Sequence, residues 1–154
     1  MRLHVVTERD WPLWRDARLA ALSQDPHAFT ARLADWPDGG EEQWHARLRM
    51  PGTHNLVALV DGRTAGTARG VPVDEATKEL RSLWVSPEAR GLGVADALIA
   101  EIERWARQQG ASALRLAVLP DNAPALALYR RKGFVPDGER HGPAREQIMV
   151  KYLD

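Results

Sequence analysis

The chain has 154 residues, 44% of them hydrophobic, with 21 basic and 21 acidic side chains and a formal net charge of zero. That length fits one domain spanning 1–154 with a sizeable core, and the hydrophobic content excludes a disordered chain. Charge balance gives no electrostatic reason to bind nucleic acid or an anionic membrane, and the lack of cysteine removes disulfides, thiolate metal sites and a cysteine nucleophile. No apolar run is long enough to span a membrane and the N-terminus has no apolar signal segment, so the expected location is the cytoplasm.

Leu3 to Val6 reads as a first strand. Asp10 is placed to cap a helix whose first turn holds Trp11 and Pro12 and whose apolar face runs through Leu13, Ala17, Ala20 and Ala21 to about Ser23. Asp25 and Pro26 break it, and Thr30 to Gly40 is irregular. Glu41 and Glu42 suit the start of a second helix, on which Trp44 and Leu48 pair across one turn; Met50, Pro51 and Gly52 close it. Asn55 to Val60 and Arg63 to Val71 form a hairpin around Asp61-Gly62, a strong two-residue turn signal. After a loop from Pro72 to Thr77, Lys78 to Val85 is the next strand.

The stretch LRSLWVSPEARGLGVA, from Leu80 to Ala95, organises the second half of the chain. A strand ends, turns at Ser86 and Pro87, and a glycine-rich loop opens into a helix. Ala95, Leu98, Ile99, Ile102, Trp105 and Ala106 lie on one face of that helix, and Gly110 suits the left-handed position after its last turn. Ala113 to Leu119 is another strand, with Leu114, Leu116 and Val118 alternating. Asn122 caps a short helix with Pro124 in its first turn, Gly133 ends it, Phe134 and Val135 start a strand, and Gln147 to Leu153 forms the last. Strands at both ends with helices between them make a mixed α/β sandwich.

The first turn of a helix carries N–H groups with no helical partner, at the positive end of the dipole. Gly91 and Gly93 remove side chains there, and Arg90 adds a cation with forked donors, so the expected ligand is a phosphate or, in preference, a pyrophosphate. Gly93 is followed by Val94 and Ala95 where a P-loop needs Lys and Ser or Thr. A Rossmann turn needs a small residue where Asp96 stands; Asp121, after the next strand, keeps that reading open. Arg90, Gly93 and Ala95 fill, in order, the Arg-x-x-Gly-x-Ala loop that grips the pyrophosphate of coenzyme A.

On these residues the chain resembles the GNAT superfamily of acyl-CoA-dependent N-acetyltransferases. A second match supports it: NAPALALYRRKGF, from Asn122 to Phe134, is similar to the family's Asn-then-Tyr segment followed by Gly-Phe. The resemblance covers most of the chain and is tightest from Leu80 to Phe134. It implies the GNAT fold: a mixed central sheet of about six to seven strands and about four helices, in which the strands ending at Val85 and near Leu119 splay apart around the pantetheine arm.

The resemblance further implies acetyl-CoA as co-substrate, with no metal, and transfer of its acetyl group to a primary amine, on a small molecule, by direct attack in a ternary complex. Arg90, Gly91, Leu92, Gly93, Val94 and Ala95 would hold the pyrophosphate. The backbone of Leu83, Trp84 and Val85 would pair with pantetheine, with the Val85 N–H near the thioester oxygen. Asn122 would contact the cofactor as well as capping its helix, and Tyr129 would bind the cofactor and protonate the departing thiolate.

The ribosomal-protein branch of the family carries a Glu five residues before the motif Asn, where this chain has Ala117. Glu79 is the substitute base, directly or through a water, with Glu146, Asp74 and Glu75 as weaker candidates. Phe29 and Trp36 are candidates to contact the acceptor, as is His141 in the loop before the last strand. The histidines show no metal-ligand spacing, and Trp14, Trp44 and Trp105 fit packing roles. Dimerisation is common in the family, so a homodimer is a candidate assembly, though no segment marks an interface. The alternative reading is a GNAT-fold protein that binds or senses acyl-CoA without turnover.

Overall fold

The computed structural model describes residues 1–24, 41–138, 140, 142 and 145–153. Among them, seven strands form one sheet: β1 (Arg2–Val5), β2 (His54–Val60), β3 (Arg63–Pro72), β4 (Thr77–Val85), β5 (Ala113–Val118), β6 (Val135–Pro136) and β7 (Gln147–Tyr152). Their order across the sheet is β1-β2-β3-β4-β5-β7-β6. The α-helices among the described residues are α1 (Trp11–Gln24), α2 (Glu41–Arg49), α3 (Val94–Gln108) and α4 (Ala123–Arg131). Neighbouring strands are antiparallel except β4 and β5, which are parallel and joined through α3, the long crossover that parallel strands require. The expected mixed sheet and helix set are present.

One boundary differs for a clear reason. Asp10 does not cap α1. A 3-10 turn, Glu8–Asp10, precedes the helix, and the Asp10 carboxylate reaches back to accept hydrogen bonds from the Thr7 N–H (3.1 Å) and hydroxyl (3.2 Å). The chain therefore begins to coil one turn earlier, with Thr7 as the cap and Asp10 as its partner three residues on. These bonds hold the Asp10 carboxyl below its usual range.

Alternation along the strands sends side chains to two cores. On one face, Leu56, Ala58, Leu80, Leu114 and Leu116 pack against Leu98, Ile99, Ile102 and Trp105 of α3. On the other, Val57 packs against Trp14, Ala17 and Leu22 of α1 and Trp44 and Leu48 of α2. The sheet is thus the middle of three layers, and three of the tryptophans, Trp14, Trp44 and Trp105, are buried in packing.

Helix α3 lies close on the sheet because two β3 positions lack side chains. A Cβ on Gly66 would stand 2.5 Å from the Trp84 carbonyl, and one on Gly70 would stand 2.4 Å from the Trp105 ring. That ring also stacks on His54, the cross-strand neighbour of Gly70, at 5.5 Å between centroids, and His54 in turn is tied to Glu101 at 2.8 Å. Gly70→Ala is therefore expected to destabilise the protein by about 1–3 kcal/mol, the usual cost of overpacking a filled core. Urea denaturation checks this; an unchanged midpoint would mean that α3 shifts without cost.

Candidate active site

The parallel pairing of β4 with β5 is brief. It covers Thr77, Lys78 and Glu79 against Ala113, Leu114 and Arg115, and then stops. The cause lies in β4, where Ser82 has a φ of +56°, a left-handed conformation that a non-glycine residue rarely takes. The register with β3 slips at the same place, as at a β-bulge. The Thr67 hydroxyl donates to the Ser82 carbonyl at 2.6 Å and pins the bulge. Before it, Leu80 faces α3; after it, Leu83 and Val85 do, and Trp84 takes the opposite face.

This bend opens a gap and leaves backbone donors in it. The Ser86 N–H donates to the Ala65 carbonyl of β3 at 2.8 Å. Alternation then points the Val85 and Leu83 N–H groups the other way, toward β5, where the ladder has already ended.

At the upper end of the gap, Gly91 (φ +86°) and Gly93 (φ +79°) carry the chain into α3 through left-handed turns that favour glycine. Both Cβ positions face open space. The N–H groups of Gly91, Gly93, Val94 and Ala95 have no backbone acceptor among the described residues, whereas those of Arg90 and Leu92 are turned onto Pro87 and Ala89. Asp96, the acid of the first turn, is paired with Lys132 at 2.7 Å, which offsets a charge that would oppose an anion.

Helix α4 forms the opposite wall. Asn122 caps it, its Oδ1 accepting from the Ala125 N–H at 3.3 Å. Tyr129, one helical face further on, is 9% exposed, stands edge-on to Phe134, and has its phenol pushed up to about 12 by burial.

These pieces enclose one cleft of about 610 Å³. Of the residues expected at the cofactor, Leu83, Trp84, Val85, Arg90, Gly91, Gly93, Val94, Ala95, Asn122 and Tyr129 line it. Leu92 does not; its side chain is 58% exposed and its N–H is used in the turn. Val118 and Arg131 line it without having been singled out, as does Ala117, noted above only as the position where the ribosomal-protein branch carries a Glu. Arg131 had a signal, a cation in the last turn of α4 two residues after Tyr129, but its closeness to the loop could not be read from spacing.

Glu79 lies elsewhere. It is buried on the α1/α2 face of the sheet, below the opening of the gap, with one oxygen bound by the Arg81 Nε and the other by the Arg115 Nε at 3.1 Å. Glu146 faces the same group. Burial first, and the Glu79 charge second, hold its carboxyl above the ordinary range, while Arg81 opposes them. Asp74 is spent on its own loop, accepting from the Ala76 and Thr77 N–H groups. Phe29, Trp36 and His141 lie outside the described residues. Among the described residues no group of three His, Cys, Asp or Glu side chains could hold a metal ion, and no helix is long and apolar enough to cross a membrane.

The family model "Acetyltransferase (GNAT) family" matches residues 12–134. The chain belongs to that family. It is 31% identical over 113 residues to the L-amino acid N-acetyltransferase AaaT of Escherichia coli, covering 66% of each chain. It is 32% identical to the crystal structure of nourseothricin acetyltransferase, with a TM-score of 0.61 over 68% of this chain and 67% of that one. The yncA structure of Salmonella typhimurium, a putative acetyltransferase solved with acetyl-CoA, superposes with a TM-score of 0.74 at 18% identity, over 100% of this chain and 94% of that one, and shares the GNAT fold. Three of the curated relatives are matched over only 39%, 64% and 66% of their own length.

In this GNAT chain, the exposed amides of the loop make a direct prediction. Gly93→Val forces a β-branched residue into left-handed backbone at about 1–2 kcal/mol of stability and puts a side chain over the N–H cluster. Coenzyme A affinity, measured by calorimetry, is expected to fall about tenfold or more, equivalent to about 1.4 kcal/mol. Unchanged affinity would place the pyrophosphate elsewhere.

Proposed function

We propose that the protein is an N-acetyltransferase that moves an acetyl group from acetyl-CoA to a primary amine of a small molecule by direct attack in a ternary complex. The observation that carries this is the cleft itself. Anion-ready amides stand at one end of it, unpaired strand donors along its side, and a protonated phenol on its far wall. A pyrophosphate-bearing, extended thioester complements all three. The acetyl-CoA in the related yncA structure and the acetyltransferase names of the relatives support the same reading.

Acetyl-CoA, when bound, supplies a thioester carbon that an amine can attack with a thiolate as leaving group. The protein's part is to hold and to move protons. The amides of Gly91, Gly93, Val94 and Ala95, with Arg90 and Arg131, hold the pyrophosphate. The Val85 N–H is aimed to donate to the carbonyl oxygen as charge builds there. The Tyr129 phenol, kept protonated by burial, donates to the departing sulfur. Asn122 spends its oxygen on the helix cap and leaves its amide nitrogen to the cleft.

The amine's proton needs a carboxylate. Glu79 has both oxygens engaged by guanidinium groups and does not line the cleft. Glu146, whose carboxyl burial and then the Glu79 charge hold above the ordinary glutamate range, is the proposed proton acceptor. Glu79 then acts by raising Glu146 and by fixing Arg81 and Arg115.

Titration with acetyl-CoA and with coenzyme A, using NAD as control, is expected to show binding of the first two alone. Thiol release should then follow with an amine. Tyr129→Phe is expected to lower kcat by about 100-fold, the scale of general acid catalysis, with a smaller change in acetyl-CoA affinity. The wild-type rate should rise with pH through a group above the ordinary glutamate value, and Glu146→Gln should flatten that rise. Binding without thiol release from any amine would make the protein a carrier or sensor; NAD binding that depends on Asp121 would make it a nucleotide-binding protein.

A further inference from the structure

The α1/α2 face of the sheet, below the cleft, carries a polar group whose two guanidiniums the proton transfer itself does not use. Arg81 and Arg115 stand on either side of the buried Glu79, each bonding it through Nε, on opposite oxygens. Their side chains remain 53% and 38% exposed, while that of Glu79 is 7% exposed. The forked ends of both guanidiniums thus project past the carboxylate that anchors them. Two cations on one anion leave a positive charge in excess.

More cations stand behind them. Arg69, opposite Arg81 in the β3–β4 register, is 2% exposed and held by the Asn55 side chain (2.9 Å) and the Arg47 carbonyl (3.1 Å). Burial, and then the charges of Arg47, Arg81 and Arg18, push its guanidinium down to about 10. Arg47 is likewise lowered by burial and by Arg81. These groups converge from α1, α2, β3 and β4. Glu146 supplies the adjoining negative charge.

A positive fork beside a carboxylate of raised basicity is the complement of a zwitterion. Arg115 lies on the same face of β5 as Ala117, which lines the cleft one pleat, or about 7 Å, further along. A carboxylate held on the fork would present an amine one or two bonds away toward Glu146 and the end of the gap. On the proposed transfer reaction, on which this rests, we infer that the acceptor bears a carboxylate next to its amine, as a free amino acid does, and that Arg81 and Arg115 bind that carboxylate.

The test compares matched acceptors: free α-amino acids, the amides of the same acids, and the corresponding decarboxylated amines. The wild-type protein is expected to use the acids with a kcat/KM about tenfold to a hundredfold higher, carried mainly by KM, as charge-assisted bidentate hydrogen bonds would give. Arg81→Gln and Arg115→Gln are each expected to collapse that ratio, and Arg115→Lys to restore part of it. Acetyl-CoA affinity serves as the check on folding. Equal kcat/KM across the wild-type panel, or variants that slow all three classes alike, would overturn the inference and leave the transferase reading standing. Acetyl-CoA binding with no thiol release from any of the three would overturn both. The wild-type panel decides the matter even where a variant fails to fold.

Discussion

The break in the ladder between β4 and β5 is the constraint on which the rest of the molecule turns. A parallel pair normally satisfies every inward N–H and C=O along its length. Here pairing ends after three residues, because Ser82 takes a left-handed bulge that bends β4 away. Each buried donor left open costs about 1–3 kcal/mol, so such a gap persists only when its surroundings hold it. The surroundings are identifiable. Thr67 bonds the Ser82 carbonyl, β3 keeps its antiparallel grip as far as Val85, and α3 packs Val94 and Leu98 down onto Gly66 of β3. A ligand that supplies the missing strand edge recovers what the bulge gives up.

The same break sets the position of every other functional group. It ends β4 where the chain must turn into the glycine loop, so the amides of Gly91, Gly93, Val94 and Ala95 stand at the mouth of the gap. It reverses the facing of the strand, so Leu83 and Val85 stay under α3 while Trp84 joins Glu79 and Arg81 on the other side. It leaves room on the β5 side for α4 to bring Tyr129 and Asn122 to the opposite wall. One serine in an unfavourable backbone conformation thus separates two chemistries: backbone donors along the cleft and side-chain charges below it.

Much of this is legible in the sequence. The α3 periodicity, the Asp61-Gly62 hairpin and the Arg90 to Ala95 loop are local signals, and all appear where expected, with Leu92 the one loop residue turned away. The features that escape are non-local or chemically silent. Serine carries no mark of positive φ, as glycine would, so the bulge cannot be seen. Glu79 looks like an available base because its second partner, Arg115, lies 36 residues further on. Asp10 looks like a cap because the 3-10 turn before α1 has no apolar period of its own.

Composition misleads in an instructive way. A net charge of zero gives no preference among acceptors, yet zero is a sum over the whole chain and a site feels only its neighbours. Cations from four elements gather on one face of the sheet, and burial keeps three of them, Arg18, Arg47 and Arg69, from being screened as surface charges are. This asymmetry explains why the two halves of the site differ in legibility. The half proposed to face coenzyme A presents backbone amides, which need glycines and a helix start at fixed spacing, and that spacing is written in one continuous stretch. The half proposed to meet the acceptor presents side chains drawn from β4, β5 and the segment before β7, which come together only once the sheet has formed.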